Sequence, residues 1–300
     1  MRVFITGASG FIGSIITKSL IADGYQVLGL ARSKASAQLL TELGAEVHWG
    51  NLEDLESLRS GAALSDGVIH TGFIHDFSRF KENCEVDRLA IEAMGTVLLG
   101  SDRPFIVSAG TGINDSGQIK TENDGTASRS PMTLRVSEET AASVAELGGK
   151  VAVVRLPPSV HGWEQQGLVT FLIAIAREKG VSAYVGEGLN RWPAVHHHDA
   201  ARVFKLAIEK GVPDFRYHAV AEEGIPLRNI AEVIGQCLNL PVVSKTAEEA
   251  VEHFGWLAPI VSLNCPASSA ITQERLGWYP NQPGLIDDLK SVLQFQANQV

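Results

Sequence analysis

The apolar positions of this chain fall into short runs that alternate with segments of helical spacing. Val3, Phe4 and Ile5 make one compact run, and residues 11–22 place Ile12, Ile15, Ile16 and Leu20 on one helical face. A second apolar run follows at 26–30, then a polar helix over 35–43 closed by Gly44, a strand at 46–49 and a short helix over 54–60. Further strands are predicted at 66–74, 104–108 and 150–155, with helices over 84–99 and 133–147 between them. Strict strand and helix alternation predicts a parallel sheet with helices on both faces. Beyond residue 162 the pattern changes. Helices are predicted over 167–179, 200–210 and 225–235, the last with Pro226 in its first turn. Strands are predicted at 181–185 and 191–195, and a late strand at 215–220 rejoins the sheet. A helix, a Pro/Ser-rich link and a final helix occupy 248–299.

The junction between the first strand and the first helix carries Gly7, Gly10 and Gly13. Glycines suit such a turn because one adopts backbone angles closed to other residues, one lets a pyrophosphate approach the main chain, and one lets helix and strand touch. The helix N-terminus then faces the anion. With a second strand completing the unit, the stretch predicts a dinucleotide site built from Thr6, Gly7, Ser9, Gly10, Phe11, Ile12 and Gly13. Asn51 and Leu52 end the third strand, where Asn51 is placed equally for the adenine edge or for a turn or helix cap. His70, Thr71 and Gly72 end the fourth strand and are expected to run along the dinucleotide.

A chain of 300 residues, 45% hydrophobic and 20% charged with 29 glycines, fits a globular α/β protein. We expect a nucleotide-binding Rossmann domain at 1–162 and a smaller, mainly substrate-binding lobe at 163–300. The net charge of −9 argues against nucleic acid or an anionic membrane as the main partner. Cys84, Cys237 and Cys265 are far apart and lack C-x-x-C spacing, so no disulfide framework or zinc site is expected. Met1 leads directly into the first strand without a signal sequence, and no apolar run approaches the length of about eighteen needed to span a bilayer. A cytoplasmic location is expected, with a homodimer as one possible assembly. The triplet His196, His197 and His198 lacks the spacing of a metal motif, so no metal is predicted.

Candidate chemistry lies at the strands' carboxyl ends, where open α/β sheets bind ligands. The loop leaving the fourth strand carries His75, Asp76 and Arg79, and the fifth strand ends in Ser108, Ala109, Gly110 and Thr111. The hydroxyls of Ser108 and Thr111 are placed to hydrogen-bond a substrate carbonyl. Aromatic residues in the second half, including Trp163, Phe171, Trp192, Phe254 and Trp256, suggest an apolar or aromatic small-molecule substrate, although lobe core accounts for most of them.

Four landmarks in order carry a resemblance: Thr6 to Gly13, the Gly50-Asn51-Leu52 strand end, Arg155 to Gly162, and Val195-His196-His197-His198-Asp199 before a helix. Together they resemble the extended short-chain dehydrogenases/reductases, which include NAD-dependent epimerase/dehydratases. The resemblance implies a Rossmann-type doubly wound sheet binding NAD or NADP, with Pro158 in the Arg155 to Gly162 segment near the cofactor. Where the adenosine ribose of NAD usually meets an acid, this chain has Arg32, Ser33 and Lys34. A guanidinium suits the extra phosphate, so NADP(H) is expected.

The chain departs from the family in its proton-transfer pair. None of Tyr25, Tyr184, Tyr217 and Tyr279 is followed by lysine four residues on. Pro131 stands opposite the tyrosine and Arg135 opposite the lysine. Arg135 can hold ribose hydroxyls but stays protonated. The reading is an atypical NADPH-dependent reductase of a small carbonyl, C=N or C=C substrate. Ser108 or Thr111 polarises the acceptor, and His75 first, His161 second, supplies the proton. A non-catalytic NADP-binding redox sensor is the alternative, and a nucleotide-sugar epimerase or dehydratase is disfavoured without the tyrosine.

Overall fold

A computed structural model describes residues 1–112, 118–125, 135–162, 167–213 and 215–297. Six strands come first: β1 (Arg2–Thr6), β2 (Gln26–Ala31), β3 (Glu46–Trp49), β4 (Gly67–His70), β5 (Pro104–Gly110) and β6 (Lys150–Leu156). Five helices lie between them: α1 (Phe11–Ala22), α2 (Lys34–Glu42), α3 (Leu55–Ala63), α4 (Phe80–Leu98) and α5 (Ser137–Glu146). The second half adds β7 (Ser159–His161), α6 (Val169–Lys179), β8 (Ser182–Val185), β9 (Arg191–His196), α7 (His197–Lys210), β10 (Arg216–His218) and β11 (Glu222–Pro226). It ends with α8 (Leu227–Leu238), β12 (Val242–Lys245), α9 (Ala247–Phe254), α10 (Ala258–Val261), α11 (Ala270–Leu276) and α12 (Leu285–Ala297).

The central sheet has the order β10-β6-β5-β4-β1-β2-β3 and all its pairings are parallel. Alternation along each strand sorts the core into two layers. Val3, Ile5, Val27, Ile106, Ala152 and Val154 face α1, α2 and α7. Phe4, Leu28, Val68, Phe105, Val107 and Val153 face α3, α4 and α5. This is the doubly wound Rossmann-type α/β fold that the alternation predicts. Its ligand edge lies at the carboxyl ends of β1, β4 and β5.

A smaller lobe has its own core of Val169, Leu172, Trp192, Ile230, Ile234, Phe254 and Leu289. It carries the sheet β11-β9-β7 and the parallel pair β12-β8. The late strand expected over 215–220 is β10, and α7 also returns to the large layer through Val203, Phe204, Ala207 and Ile208. Among the described residues no helix is long and apolar enough to cross a membrane.

Several boundaries differ from expectation for local reasons. Pro226 does not enter the helix. It ends β11 opposite Arg191 with ψ 133, so α8 starts at Leu227, two residues later than expected. The strand expected over 66–74 stops at His70, because Thr71 turns its N–H and hydroxyl onto the Thr6 carbonyl. The helix expected over 133–147 starts only at Ser137, with Arg135 outside it and 133–134 outside the described residues. Among the described residues, 247–297 hold four α-helices rather than two.

Candidate functional site

The nucleotide turn is built by backbone crowding. Gly7 has φ +72, and a Cβ there would lie 2.8 Å from the Gly72 nitrogen and 2.9 Å from the Thr71 carbonyl carbon. A Cβ on Gly13 would fall 2.0 Å from the Gly7 oxygen, so α1 and the turn touch only because that residue is glycine. Gly10 caps α1 with no side-chain hydrogen bond and no acid in the first turn, leaving the positive helix end to an anion. These features fit a pyrophosphate. Ser9, Phe11 and Ile12 are half-buried at the turn, and Leu52 packs beside Gly72.

Arg32 is exposed after β2, and no hydrogen bond or ion pair engages it among the described residues. Ser33 caps α2 by accepting from the Ser36 N–H at 3.1 Å, and Lys34 opens that helix in solvent. Asn51 takes the turn alternative, its Oδ1 accepting from the N–H groups of Glu53 at 2.8 Å and Asp54 at 3.1 Å, while Asp54 caps α3.

Behind the turn runs a buried polar chain. His70 Nδ1 lies 2.6 Å from Thr6 Oγ1, and its Nε2 lies 3.0 Å from Asp87 Oδ1. Ser137 Oγ donates to Asp87 Oδ2 at 2.5 Å, and Arg135 Nε donates to Ser137 Oγ at 2.9 Å. Arg135 Nη2 then reaches Ser108, at 3.3 Å from Oγ and 3.2 Å from the carbonyl oxygen. Burial raises the Asp87 carboxyl, but the His70 hydrogen bond and the Arg135 charge outweigh it and hold the pKa below the usual value. An ionised Asp87 only accepts, so His70 donates to it from Nε2. Thr6 Oγ1 in turn accepts from the Gly72 N–H at 3.3 Å. His70, although expected along the cofactor, thus spends both ring nitrogens inside the protein.

Arg135 also lies over Phe73, 4.4 Å from the ring centroid, and Phe73 meets His75 edge-on at 5.2 Å. Arg135 thus touches Ser108 on one side and Phe73 on the other, with His75 beyond that ring. His75 reaches solvent at its edge, yet partial desolvation and then the Arg135 charge depress its pKa. Thr111 is buried, its N–H bonded to the Leu156 oxygen at 2.9 Å. His161 lies apart from this group, fully buried, with Nδ1 2.9 Å from Asp288 Oδ2 and its ring edge-on to His196. The Pro158 carbonyl accepts from the Leu168 N–H. Pro131 and Trp163 lie outside the described residues.

None of the four tyrosines takes part. Tyr25 donates to Glu209, Tyr184 packs under Arg228, Tyr217 accepts from the Val212 N–H, and Tyr279 is exposed. His196, His197 and His198 straddle the β9–α7 junction, and no group of three metal-ligating side chains occurs among the described residues.

Sequence reasoning missed Asp87 and Ser137. Asp87 was detectable, since an acid at 87 continues the buried face marked by Ala90, Ile91, Met94 and Leu98. A second buried cluster joins Arg155 to Glu138 through two hydrogen bonds of 2.8 and 2.6 Å, and to His218 Nε2 at 3.0 Å. Arg216 also donates to Glu138. Burial raises Glu138, but Arg155 and Arg216 hold it below the usual carboxylate range.

The model of the NAD dependent epimerase/dehydratase family matches residues 3–219. An uncharacterized protein of Schizosaccharomyces pombe is 47% identical over 296 residues, covering 98% of this chain and all of that one. The decarboxylating sterol-4-alpha-carboxylate 3-dehydrogenase of Dictyostelium discoideum is 26% identical over 245 residues, 76% of this chain and 73% of that protein. The crystal structure of UDP-glucose 4-epimerase from Thermotoga maritima superposes with a TM-score of 0.76 at 20% identity, covering the whole of both chains. That likeness is one of fold.

Proposed function

The chain belongs to the NAD dependent epimerase/dehydratase family, and from that premise we propose that it is an NADPH-dependent oxidoreductase reducing a small organic carbonyl, or a related C=N or C=C bond. The observation that carries this reading is the contact of Arg135 with both oxygens of Ser108 at the carboxyl end of β5. It supplies a cation and a hydroxyl where the family's usual tyrosine and lysine are missing. The free guanidinium of Arg32 supports NADP(H) over NAD(H).

When bound, the reduced nicotinamide supplies a hydride. Ser108 Oγ donates to the substrate oxygen, and Arg135 polarises that hydroxyl while remaining protonated itself. His75 passes the proton to the same oxygen, and the apolar Phe73 ring keeps His75 and Arg135 apart.

The test is NADPH oxidation by purified protein with aldehydes, ketones, imines and enones. Turnover on at least one class is expected, and His75→Ala should lower it most on the acidic side. Reduction undiminished in that variant at every pH removes His75 from the role. Tight NADPH binding without turnover on any class leaves the redox-sensor reading instead.

A further inference from the structure

Lys120 is fixed against the smaller lobe by its own backbone. Its N–H donates to the Pro266 oxygen at 2.9 Å, and its carbonyl accepts from the Ser268 N–H at 2.8 Å. The residue is only 5% exposed. Its side chain turns toward the exit of β5, where Nζ lies 2.6 Å from the position a Cβ would take on Gly112. Gly112 has φ +73 as well, a conformation that favours glycine, and a side chain there would also displace the ammonium. Ser108 is four residues upstream on the same segment.

The charges of Glu138 and Asp124 act on this ammonium without contact. No hydrogen bond or ion pair of Lys120 Nζ is found among the described residues, and two of the neighbouring carboxylates are engaged elsewhere. Glu138 takes Arg155 and Arg216, and Asp124 accepts from the N–H and hydroxyl of Thr121 at 2.6 and 2.9 Å. Glu122 gives Oε1 to Thr272, while its Oε2 is buried without a partner. The Cys265 thiol is pushed by burial up to about 12 and is therefore neutral. Burial, and then the Arg155 charge, depress the Lys120 pKa. A buried cation with no partner is costly unless a ligand supplies the opposite charge.

We propose that Lys120 anchors a substrate carboxylate, so that the substrate is an oxo acid with its carbonyl toward Ser108 and its carboxylate toward Gly112. A single ammonium balances a single negative charge, which fits a carboxylate better than a phosphate dianion. The inference rests on the carbonyl-reductase reading and names its substrate class.

Benzoylformate and its uncharged methyl ester form the test pair, compared by kcat/KM for NADPH oxidation. The wild type should prefer the acid, and Lys120→Met should cut that preference about 10- to 100-fold, the range of a charge-assisted hydrogen bond. Lys120→Arg should retain part of it, and Lys120→Gln replaces the Met variant where that one does not fold. A preference unchanged by loss of the charge overturns the anchor. So does a fall in Tm with both substrates weakened alike, which would make Lys120 a structural counter-ion of Glu122. Equal turnover of acid and ester by the wild type overturns the anchor and leaves the reductase reading standing. If the wild type reduces neither, the panel of carbonyls, imines and enones decides the reductase reading and binding decides the anchor: benzoylformate should raise the Tm of the NADP⁺-loaded wild type and not of the Met variant. No shift in either overturns the anchor.

Discussion

Arg135 Nη2 donates to Ser108 Oγ at 3.3 Å, joining the residue that precedes α5 to the strand end that faces the ligand edge. The guanidinium is held by Ser137 and, at 3.8 Å, by the Asp87 carboxylate, so its position is set from behind. Ser108→Ala removes the donor aimed at the substrate oxygen and should lower kcat by about 10²–10³. Arg135→Ala should cost a similar factor, and the double variant little more, since the two act as one unit. Steady-state kinetics on the three variants check this. Fully multiplicative losses would mean that Arg135 serves elsewhere.

Cofactor choice rests on Arg32. Because its guanidinium is exposed and unengaged, Arg32→Ala should leave the fold intact. The loss of one charge-assisted contact should raise the KM for NADPH about 10-fold or more, with little change for NADH. Comparing the two cofactors under one substrate measures it. An equal effect on both would place Arg32 against the adenine instead.

The turn itself tolerates no side chain at Gly13. An added methyl would meet the Gly7 oxygen at 2.0 Å, which forces α1 away from β1. Gly13→Ala should therefore destabilise the protein by roughly 1–3 kcal/mol, as overpacking does, and weaken NADPH binding as well. Thermal unfolding and NADPH titration read the two effects separately, and an unchanged affinity would show that the turn does not carry the pyrophosphate.

The turn was legible in the sequence because Gly7, Gly10, Gly13 and the flanking apolar runs act over a few residues. The sheet followed from the same local alternation. The polar chain was not legible, because Thr6, His70, Asp87, Ser108 and Ser137 come from five separate elements or their ends, and only the parallel register brings them together. The β8–β12 pair was missed for the same reason, its strands being joined through residues far apart in the chain. Pro226 misled because a proline suits a helix's first turn and a strand's end equally well by φ alone, and only its pairing with Arg191 decides. Lys120 has no local pattern at all; its interest arises from Gly112 and the Pro266–Ser268 backbone.

Acid stability offers a further check. His218 is held neutral by burial and by Arg155, whose Nη1 faces its Nε2, and its pKa is lowered to about 4 despite the opposing pull of Glu122. His197, packed edge-on against Phe11, is lowered to about 4 by burial and by His196 and His198. In the unfolded chain both rings titrate near 6.5. Below that pH the unfolded state therefore binds protons that the fold refuses. Stability should be at its full value above about pH 6.5 and decline as pH drops toward about 4, before Asp87 and Glu138 begin to lose their own contribution at still lower pH. The Tm should fall by on the order of 5 °C over that interval. His218→Gln removes one titrating ring and should flatten the curve between these limits while lowering its plateau. A wild-type Tm independent of pH from 6.5 to 4.5 would show that these rings accept protons within the fold.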